Sequence, residues 1–410
     1  MAENLKDTIK EKIDLLEFLS SKGMTWTNQS SNPKALCVFH EEKTPSFTLS
    51  KDRKRYKCYG CNESGDVFDY LMSAEKLTFV EAIRQLSSYL SLEYDDNSFS
   101  DEVEKRKKIK IINNEVLDVN SLAQSYFSKQ LFDQNSENSK FVRSYLEDRG
   151  ISEEAARKNL LGYCPDGNMG SLMSFFQSNK TNKRGVINSN LLMRNDESGD
   201  WLDFFRNRLT IAILDENSNI VGFSGRALTD NSKSKYINSR ESEVFNKSSI
   251  LYGLDRASEA IRLKSQAVVV EGYFDCISGY ERGYKNLVAA MGTQISSDSF
   301  EKLKNLTTYD SDSGEVIFCF DNDNAGKKAA VDTIAKLKDI IASASKNTSK
   351  KLRIKVCFPS SGKDPDEIFR TNIVEWEEMI NMSQNFIDYL LDYYSVLHLQ
   401  GQEKDTYKFL

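Results

Sequence analysis

The sequence predicts an α/β protein, α+β overall, with a small metal-stapled ribbon at its amino end and a larger core built on a parallel sheet. Two observations lead there. Two ligand pairs, Cys37-Val38-Phe39-His40 and Cys58-Tyr59-Gly60-Cys61, stand seventeen residues apart near the start of the chain. Further on, Val268-Val269-Val270-Glu271 and Phe318-Cys319-Phe320-Asp321 each run an apolar strand straight into a carboxylate. At 410 residues and 39% hydrophobic content, the chain has material for two or three domains with real cores.

Ile9, Ile13 and Leu16 recur at spacings of four and three, which predicts one helix over Ile9–Leu19, and Leu77–Leu86 reads the same way. Between these helices lie the two ligand pairs. A two-residue spacing lets both members of a pair point at one ion from a tight turn. Two such turns complete a tetrahedral Cys₃His zinc site with no position left for water, so the zinc is expected to be structural. His40 is one of only two histidines in the chain, which makes its place beside Cys37 more telling. Thr44–Ser50 alternates apolar and polar residues and leads into the basic stretch Lys51–Lys57, the pattern of zinc-ribbon strands. The exposed face of such a ribbon is expected to stack bases and meet phosphates. The flanking helices are expected to pack on the ribbon, which could bury little without them.

Asp95–Asp101 is polar and turn-forming, and Glu104–Lys110 is charged, so a flexible hinge or a connecting helix is expected there. The boundaries that follow are 1–95 for the zinc module, 96–115 for a linker, 116–255 for a basic subdomain, 256–370 for the metal-binding sheet and 371–410 for a helical tail. His398, in that tail, is expected to be structural or solvated.

The run Val268–Val270 is β-branched and continuous, the mark of a strand covered on both faces in a parallel sheet, so Glu271 is expected at the sheet's carboxyl edge, where ligands bind. Asp321-Asn322-Asp323 after the second strand repeats the arrangement. Ile354–Phe358, followed by Ser361-Gly362-Lys363-Asp364-Pro365-Asp366, repeats it again. Acids gathered from three strand ends repel one another unless cations or protons intervene. Hard oxygen ligands with no histidine beside them favour Mg²⁺ or Mn²⁺ over zinc. On this pattern alone, hydrolysis and polymerisation are equally open.

The order of glutamate strand and Asp-x-Asp strand resembles a Toprim domain. The Cys-x₂-His and Tyr-Lys-Cys-Tyr-Gly-Cys motifs, followed by Gly65–Leu71, resemble the zinc-binding domain of DnaG-type primases. Ser144–Ile151, Gly162–Gly167, Phe205–Ile213, Val221–Leu228, Ser234–Ser239 and Phe245–Lys247 resemble, in order, the catalytic core of the same family. The likeness runs from about residue 9 to 370. It implies a zinc-ribbon domain followed by a primase core with a Rossmann-like Toprim sheet, held by zinc at Cys37, His40, Cys58 and Cys61. It implies catalytic metal, two or more Mg²⁺ or Mn²⁺, at Glu271, Asp321 and Asp323, with Asp275, Asp364 and Asp366 supporting a second ion or its waters. Arg149, Arg226, Lys235 and Lys247 become nucleotide-binding candidates, Asn238 a neighbour of the sugar, and Arg206 and Arg208 followers of the template. Many relatives have Gly where this chain has Asn322. Asn is the next most tolerant residue of a left-handed backbone, so the turn is expected to be preserved.

The activity implied is that of a DNA primase, a DNA-directed RNA polymerase that makes short RNA primers on single-stranded DNA from ribonucleoside triphosphates. The alternatives are a Toprim nuclease and a non-catalytic single-strand binder; the zinc module and ordered basic motifs oppose the first, and the complete acid set opposes the second. A net charge of −6 argues against a broad basic grip on nucleic acid, leaving local basic tracks. No run nears the ~18 residues of a membrane span, and seven cysteines with no disulfide context fit a reducing cytoplasm, bacterial or phage-infected. The tail from Trp376 is too short for the further domain by which cellular relatives bind a replicative helicase, so helicase contact is left open.

Overall fold

The computed structural model describes residues 2–399 apart from 28–32, 62, 95, 167–170, 197, 230–231, 233, 293–294, 310, 334–336, 338–350 and 361–363, with backbone alone at 2–4, 96–107 and 396–399. The first three residues of the third acid motif, 361–363, and the His398 side chain, expected to be structural or solvated, therefore lie outside the described residues. The chain divides into two compact units, Met1–Ile111 and Ile112–Leu410.

The first unit opens with α1 (Ala2–Lys12) and α2 (Leu15–Ser21) where the sequence predicts one helix. Asp14 makes the break. It takes an extended conformation and its side chain accepts the N–H groups of Leu16 and Glu17 at 2.8 and 3.1 Å, capping a new helix. Strands β1 (Lys34–Ala35), β2 (Phe47–Leu49), β3 (Tyr56–Cys58) and β4 (Ser64–Gly65) form an antiparallel sheet in that order. Helices α3 (Val67–Ala74) and α4 (Phe79–Tyr89), each begun by a capping box, bury Leu71, Ile83 and Leu86 with Phe18 and Leu19 against it. Phe47 and Tyr56 stack at 5.1 Å inside this core, 0% and 2% exposed. They belong to the buried face of the ribbon, whereas Tyr59, at the second ligand turn, is exposed.

The linker is helical: α5 (Asp96–Leu131) runs unbroken through 96–115. The second unit continues with α6 (Glu137–Asp148), α7 (Glu153–Lys158), β5 (Leu161–Cys164), α8 (Ser171–Ser178) and α9 (Lys183–Asn188). A hairpin of β6 (Leu192–Arg194) and β7 (Trp201–Asp203) precedes β8 (Arg208–Leu214), β9 (Ile220–Ala227) and β10 (Tyr236–Asn238). The antiparallel order β10-β9-β8-β5 brings Arg208, Arg226 and Asn238 onto one sheet, while Arg149 caps α6 and Lys247 lies in the loop after β10.

The parallel-sheet part follows as α10 (Leu254–Lys264), β11 (Gln266–Val270), α11 (Tyr273–Glu281), β12 (Leu287–Ala289), α12 (Ser297–Thr307), β13 (Ser313–Cys319), α13 (324–333), β14 (Lys351–Cys357), α14 (Pro365–Thr371), α15 (Ile373–Asn381), β15 (Gln384–Asn385) and α16 (Phe386–Leu399). Among the described residues these strands make a sheet in the order β12-β11-β13-β14-β15. The first four are parallel, and β15 pairs antiparallel with β14. Val268 and Val270 bury into one core and Ala267 and Val269 into the other, as the continuous apolar run required. The strand order reverses direction between β11 and β13, so a topological switch point lies at their carboxyl ends. The tail is part of this layer rather than an appendage, because β15 extends the sheet and Phe386, Tyr389 and Leu390 of α16 pack on its core. No described helix is long and apolar enough to cross a membrane.

Helix α11 lies unusually close to its neighbours through Gly279, where an added Cβ would stand 2.1 Å from Leu287 Cδ1 and 2.9 Å from Phe369 Cζ. Gly279→Ala is expected to destabilise the protein by about 1–3 kcal/mol through overpacking, read as a lower denaturant midpoint with unchanged slope.

Candidate active site and metal centres

In the first unit the two ligand turns converge. Cys37, His40, Cys58 and Cys61 place their ligand atoms within 4.8 Å of one another. The Cys37 and Cys61 sulfurs are 3.9 Å apart and Cys58 Sγ is 3.8 Å from His40 Nδ1. Thiolates about 2.3 Å from one tetrahedral zinc stand about 3.8 Å from each other, so the set fits the ion. With Nδ1 facing the sulfurs, His40 Nε2 lies 3.3 Å from Glu42 Oε2, a carboxylate behind a ligating imidazole. Glu42 also accepts the N–H of Cys37 at 2.7 Å and Ser46 Oγ at 2.6 Å, tying the first turn together. Gly60 is needed for packing, because a Cβ there would stand 2.5 Å from His40 Nε2. Burial raises the Cys58 thiol, but Ser46 Oγ and the N–H groups of Cys61 and Gly60 outweigh it and hold it down to about 7. Burial and neighbouring thiols push Cys37 up to about 12. A cation among them is what lets all three sulfurs be thiolates.

In the second unit the acids gather at the switch point. Glu271 leaves β11 half-buried, and its Oε1 accepts the N–H of Asp321 at 3.0 Å, linking the two strand ends. Burial pushes the Glu271 carboxyl up, and the charge of Asp323 adds to this against the pull of that N–H. Asp323 is exposed and caps α13 by accepting the Gly326 N–H at 2.7 Å. Asn322 does not adopt a positive φ, so the expectation of a left-handed turn there fails; the close approach falls instead at Gly326, where a Cβ would stand 2.2 Å from Asp321 O.

Asp275 sits in the first turn of α11, 6% exposed. Its Oδ2 accepts the Gly272 N–H at 2.8 Å and its Oδ1 the Asp366 N–H at 3.0 Å. Burial raises its carboxyl well above the ordinary range, and Asp364 and Asp321 raise it further. Asp364 caps α14 through the Glu367 N–H at 3.0 Å. Asp366 is buried and paired with Arg149 and Arg370.

A cavity of about 360 Å³ brings the two halves of this unit together: Glu271, Asp275, Asp321, Asp364 and Asp366 line it with Arg149, Arg226, Lys235, Asn238 and Lys247. Asp323, Arg206 and Arg208 are not among its lining residues. Arg208 donates to the carbonyls of Gly225 and Ser234, both at 3.1 Å, stitching β8 to the β9–β10 turn. Arg206 is half-buried in the turn before β8. Arg226 is 9% exposed; its Nη1 donates to Tyr236 Oη at 2.5 Å, its Nε has no hydrogen-bond partner, and no described carboxylate pairs with it. Arg149 and Arg226 both pack on Tyr145 and Phe274, at 4.8–5.3 Å from the ring centroids. Tyr273 Oη donates to Asn238 Oδ1 at 2.7 Å, which turns the amide nitrogen to donor duty. Sequence reasoning missed Glu42, Tyr145, Tyr236, Phe274 and Ser278. Phe274 was visible only as a continuation of the strand run, and the others carry no spacing signal.

The donor set fits a hard divalent cation. Carboxylates whose pKa values are raised by burial and by each other are those a cation would relieve. Among the described residues only the Cys₃His group closes within 4.8 Å, so the acids form an open half-shell. An open half-shell suits a hard divalent cation that keeps several of its waters.

Comparison with known proteins gives three family matches in order: CHC2 zinc finger over residues 1–102, DNA primase catalytic core, N-terminal domain, over 126–258, and Toprim domain over 265–345. A DNA primase of Clostridium acetobutylicum is 33% identical over 393 residues, 96% of this chain and 61% of that protein, so the chain spans about six-tenths of such a relative. A DNA primase domain from Pseudomonas aeruginosa superposes with a TM-score of 0.58 at 30% identity, covering 70% of this chain and 83% of that one. A DnaG primase catalytic domain bound to single-stranded DNA gives a TM-score of 0.58 at 26% identity, covering 69% and 86%. With zinc ligands, primase core and Toprim acids all present and in this order, the chain belongs to the DnaG-type DNA primase family.

Proposed function

We propose that the chain is a DNA primase acting in the cytoplasm: it copies single-stranded DNA into short RNA from ribonucleoside triphosphates. The observation that carries this is one cavity in which acids from three strand ends face Arg226, a buried guanidinium with no carboxylate partner among the described residues and with its Nε unpaired. A buried cation in that state calls for an anionic ligand, and a triphosphate reaching the acids through metal supplies one. Seven free cysteines, most of them buried, suit a reducing compartment.

Glu271 and Asp321 would hold catalytic Mg²⁺ or Mn²⁺, with Asp364 beside them and Asp323 at the rim; Asp275 and Asp366 support the arrangement. When bound, the cations supply a lower pKa for the attacking 3′-hydroxyl and offset charge on the α-phosphate and departing pyrophosphate. Arg226, Arg149, Lys235 and Lys247 grip the triphosphate, and Asn238 offers its amide N–H groups to the sugar. Arg206 and Arg208 are assigned to the template side; of the two, Arg206 keeps more freedom because Arg208 is committed to backbone carbonyls. This is positioning and electrostatic catalysis, with no general base required of the protein. A nuclease would use the same acids, but the arginine-lined half of the cavity has no task in cleaving a strand.

Incubation with single-stranded DNA and labelled ribonucleotides separates the two: RNA products are expected, and template shortening without them would exclude priming. Glu271→Gln and Asp321→Asn are each expected to lower primer synthesis by about 10²–10³-fold with little change in melting temperature.

Elemental analysis is expected to find one zinc per chain, lost in Cys58→Ser together with cooperative unfolding of the first unit.

Metal binding must displace protons from the raised carboxyls of Glu271 and Asp275. A raised folded pKa means the folded apo state holds more protons than the unfolded one, so these groups stabilise at low pH and lose that contribution as pH rises from about 4 upward. The rise in melting temperature produced by Mg²⁺ is therefore expected to grow with pH between about 5 and 8; a constant rise would contradict the assignment.

A further inference from the structure

The acids facing the cavity are not equally open. Asp366 is 2% exposed, with Ser278 Oγ donating to its Oδ1 at 2.5 Å. Its Oδ2 takes the Arg149 guanidinium, with Arg370 Nη2 at 3.3 Å from the same oxygen. Both oxygens are engaged and the charge is already offset from within the protein. Glu271 and Asp364 differ. One oxygen of each accepts a backbone N–H, from Asp321 and Glu367, and no described guanidinium or ammonium pairs with either.

Arg149 depends on this contact. It ends α6, packs on Tyr145 and Phe274, and shares both rings with Arg226. Two guanidiniums so placed repel, and burial removes the water that would screen them. A carboxylate on one of them relieves that repulsion while leaving the other for a ligand. The backbone is fixed as well, since Asp275 accepts the Asp366 N–H at 3.0 Å and the Gly272 N–H at 2.8 Å, pinning the start of α14 to the residue after Glu271.

We infer that Asp366 is a positioning residue and not a metal ligand: it fixes Arg149 beside Arg226 at the phosphate-binding side of the cavity, and the divalent cations fall to Glu271 and Asp321, with Asp364 beside them and Asp323 at the rim. The identity of the phosphate as that of a ribonucleoside triphosphate rests on the polymerase reading; the assignment of ligands does not.

The test is Mn²⁺ binding to the full chain, followed by electron paramagnetic resonance of the free ion, alongside steady-state primer synthesis. Asp366→Asn is expected to bind Mn²⁺ within about twofold of wild type, and Asp364→Asn about tenfold or more weakly. Asp366→Asn and Arg149→Met are each expected to raise the KM for ribonucleotides by about tenfold, with a smaller effect on kcat. The double variant is expected to be no worse than the worse single one. Loss of Mn²⁺ affinity in Asp366→Asn to the level of Asp364→Asn would overturn the inference. Should thermal melting show that Asp366→Asn does not fold, Arg149→Met decides: a carboxylate freed to ligate would tighten Mn²⁺ binding, whereas a positioning role leaves it unchanged. Wild type that made no RNA while the Mn²⁺ results held would defeat the polymerase reading and leave this division of acids standing.

Discussion

Crowding carboxylates at the edge of a buried sheet is unfavourable unless cations stand among them, and the larger unit is arranged around that repulsion. The parallel order β12-β11-β13-β14 delivers Glu271 and Asp321 to adjacent strand ends, and α14 brings Asp364 and Asp366 beside them. Backbone N–H groups offset part of the repulsion: Asp321 N–H to Glu271, Gly272 and Asp366 N–H to Asp275, Glu367 N–H to Asp364. These bonds fix geometry without cancelling charge, so the site stays pre-organised for an ion.

The antiparallel half answers with guanidiniums, unequally. Arg149 is neutralised by Asp366, Arg208 is taken up by carbonyls of its own sheet, and Arg226 is left with a tyrosine hydroxyl. A buried arginine without a counter-ion is a standing cost to stability. Its presence beside aromatic rings rather than carboxylates keeps it from collapsing onto the acids, as a flexible ammonium would. The zinc centre follows the same logic on a smaller scale, with Glu42 orienting His40 and backbone N–H groups directed at the sulfurs.

What could be read from the chain was what periodicity and spacing encode. The continuous β-branched run of β11 declared a doubly covered strand, and the two-residue ligand spacing declared the zinc site; both stand. What escaped depends on contacts distant in sequence. Asp14 reads as one more polar residue in a helix until its cap is seen. Asp275 follows a strand by only a few residues and so looked like a strand-end acid, yet it lies within a helix with both oxygens on backbone donors. The position of Asn322 was judged by the conformation glycine would allow, whereas the tight approach lies four residues on, at Gly326. The tail read as helical because β15 is two residues long, below what any pattern can mark.

The late arrival of β15 also orders events during synthesis. All the acids of the cavity and the strands that bear them precede it, so the outer edge of β14 emerges first and waits for residues 358–385 to be added. At about 5–20 residues per second that interval is a few seconds. For that time a seven-residue strand with unpaired backbone groups stands at the border of a nascent sheet, the situation in which strands recruit wrong partners. Lys351, Arg353 and Lys355 alternate along it. Glu315 of β13 takes up part of the charge of Arg353 and Lys355, and the like charge that remains would oppose a second copy emerging from a neighbouring ribosome; β15 later pairs only Lys355 and Val356, at the carboxyl end of that edge.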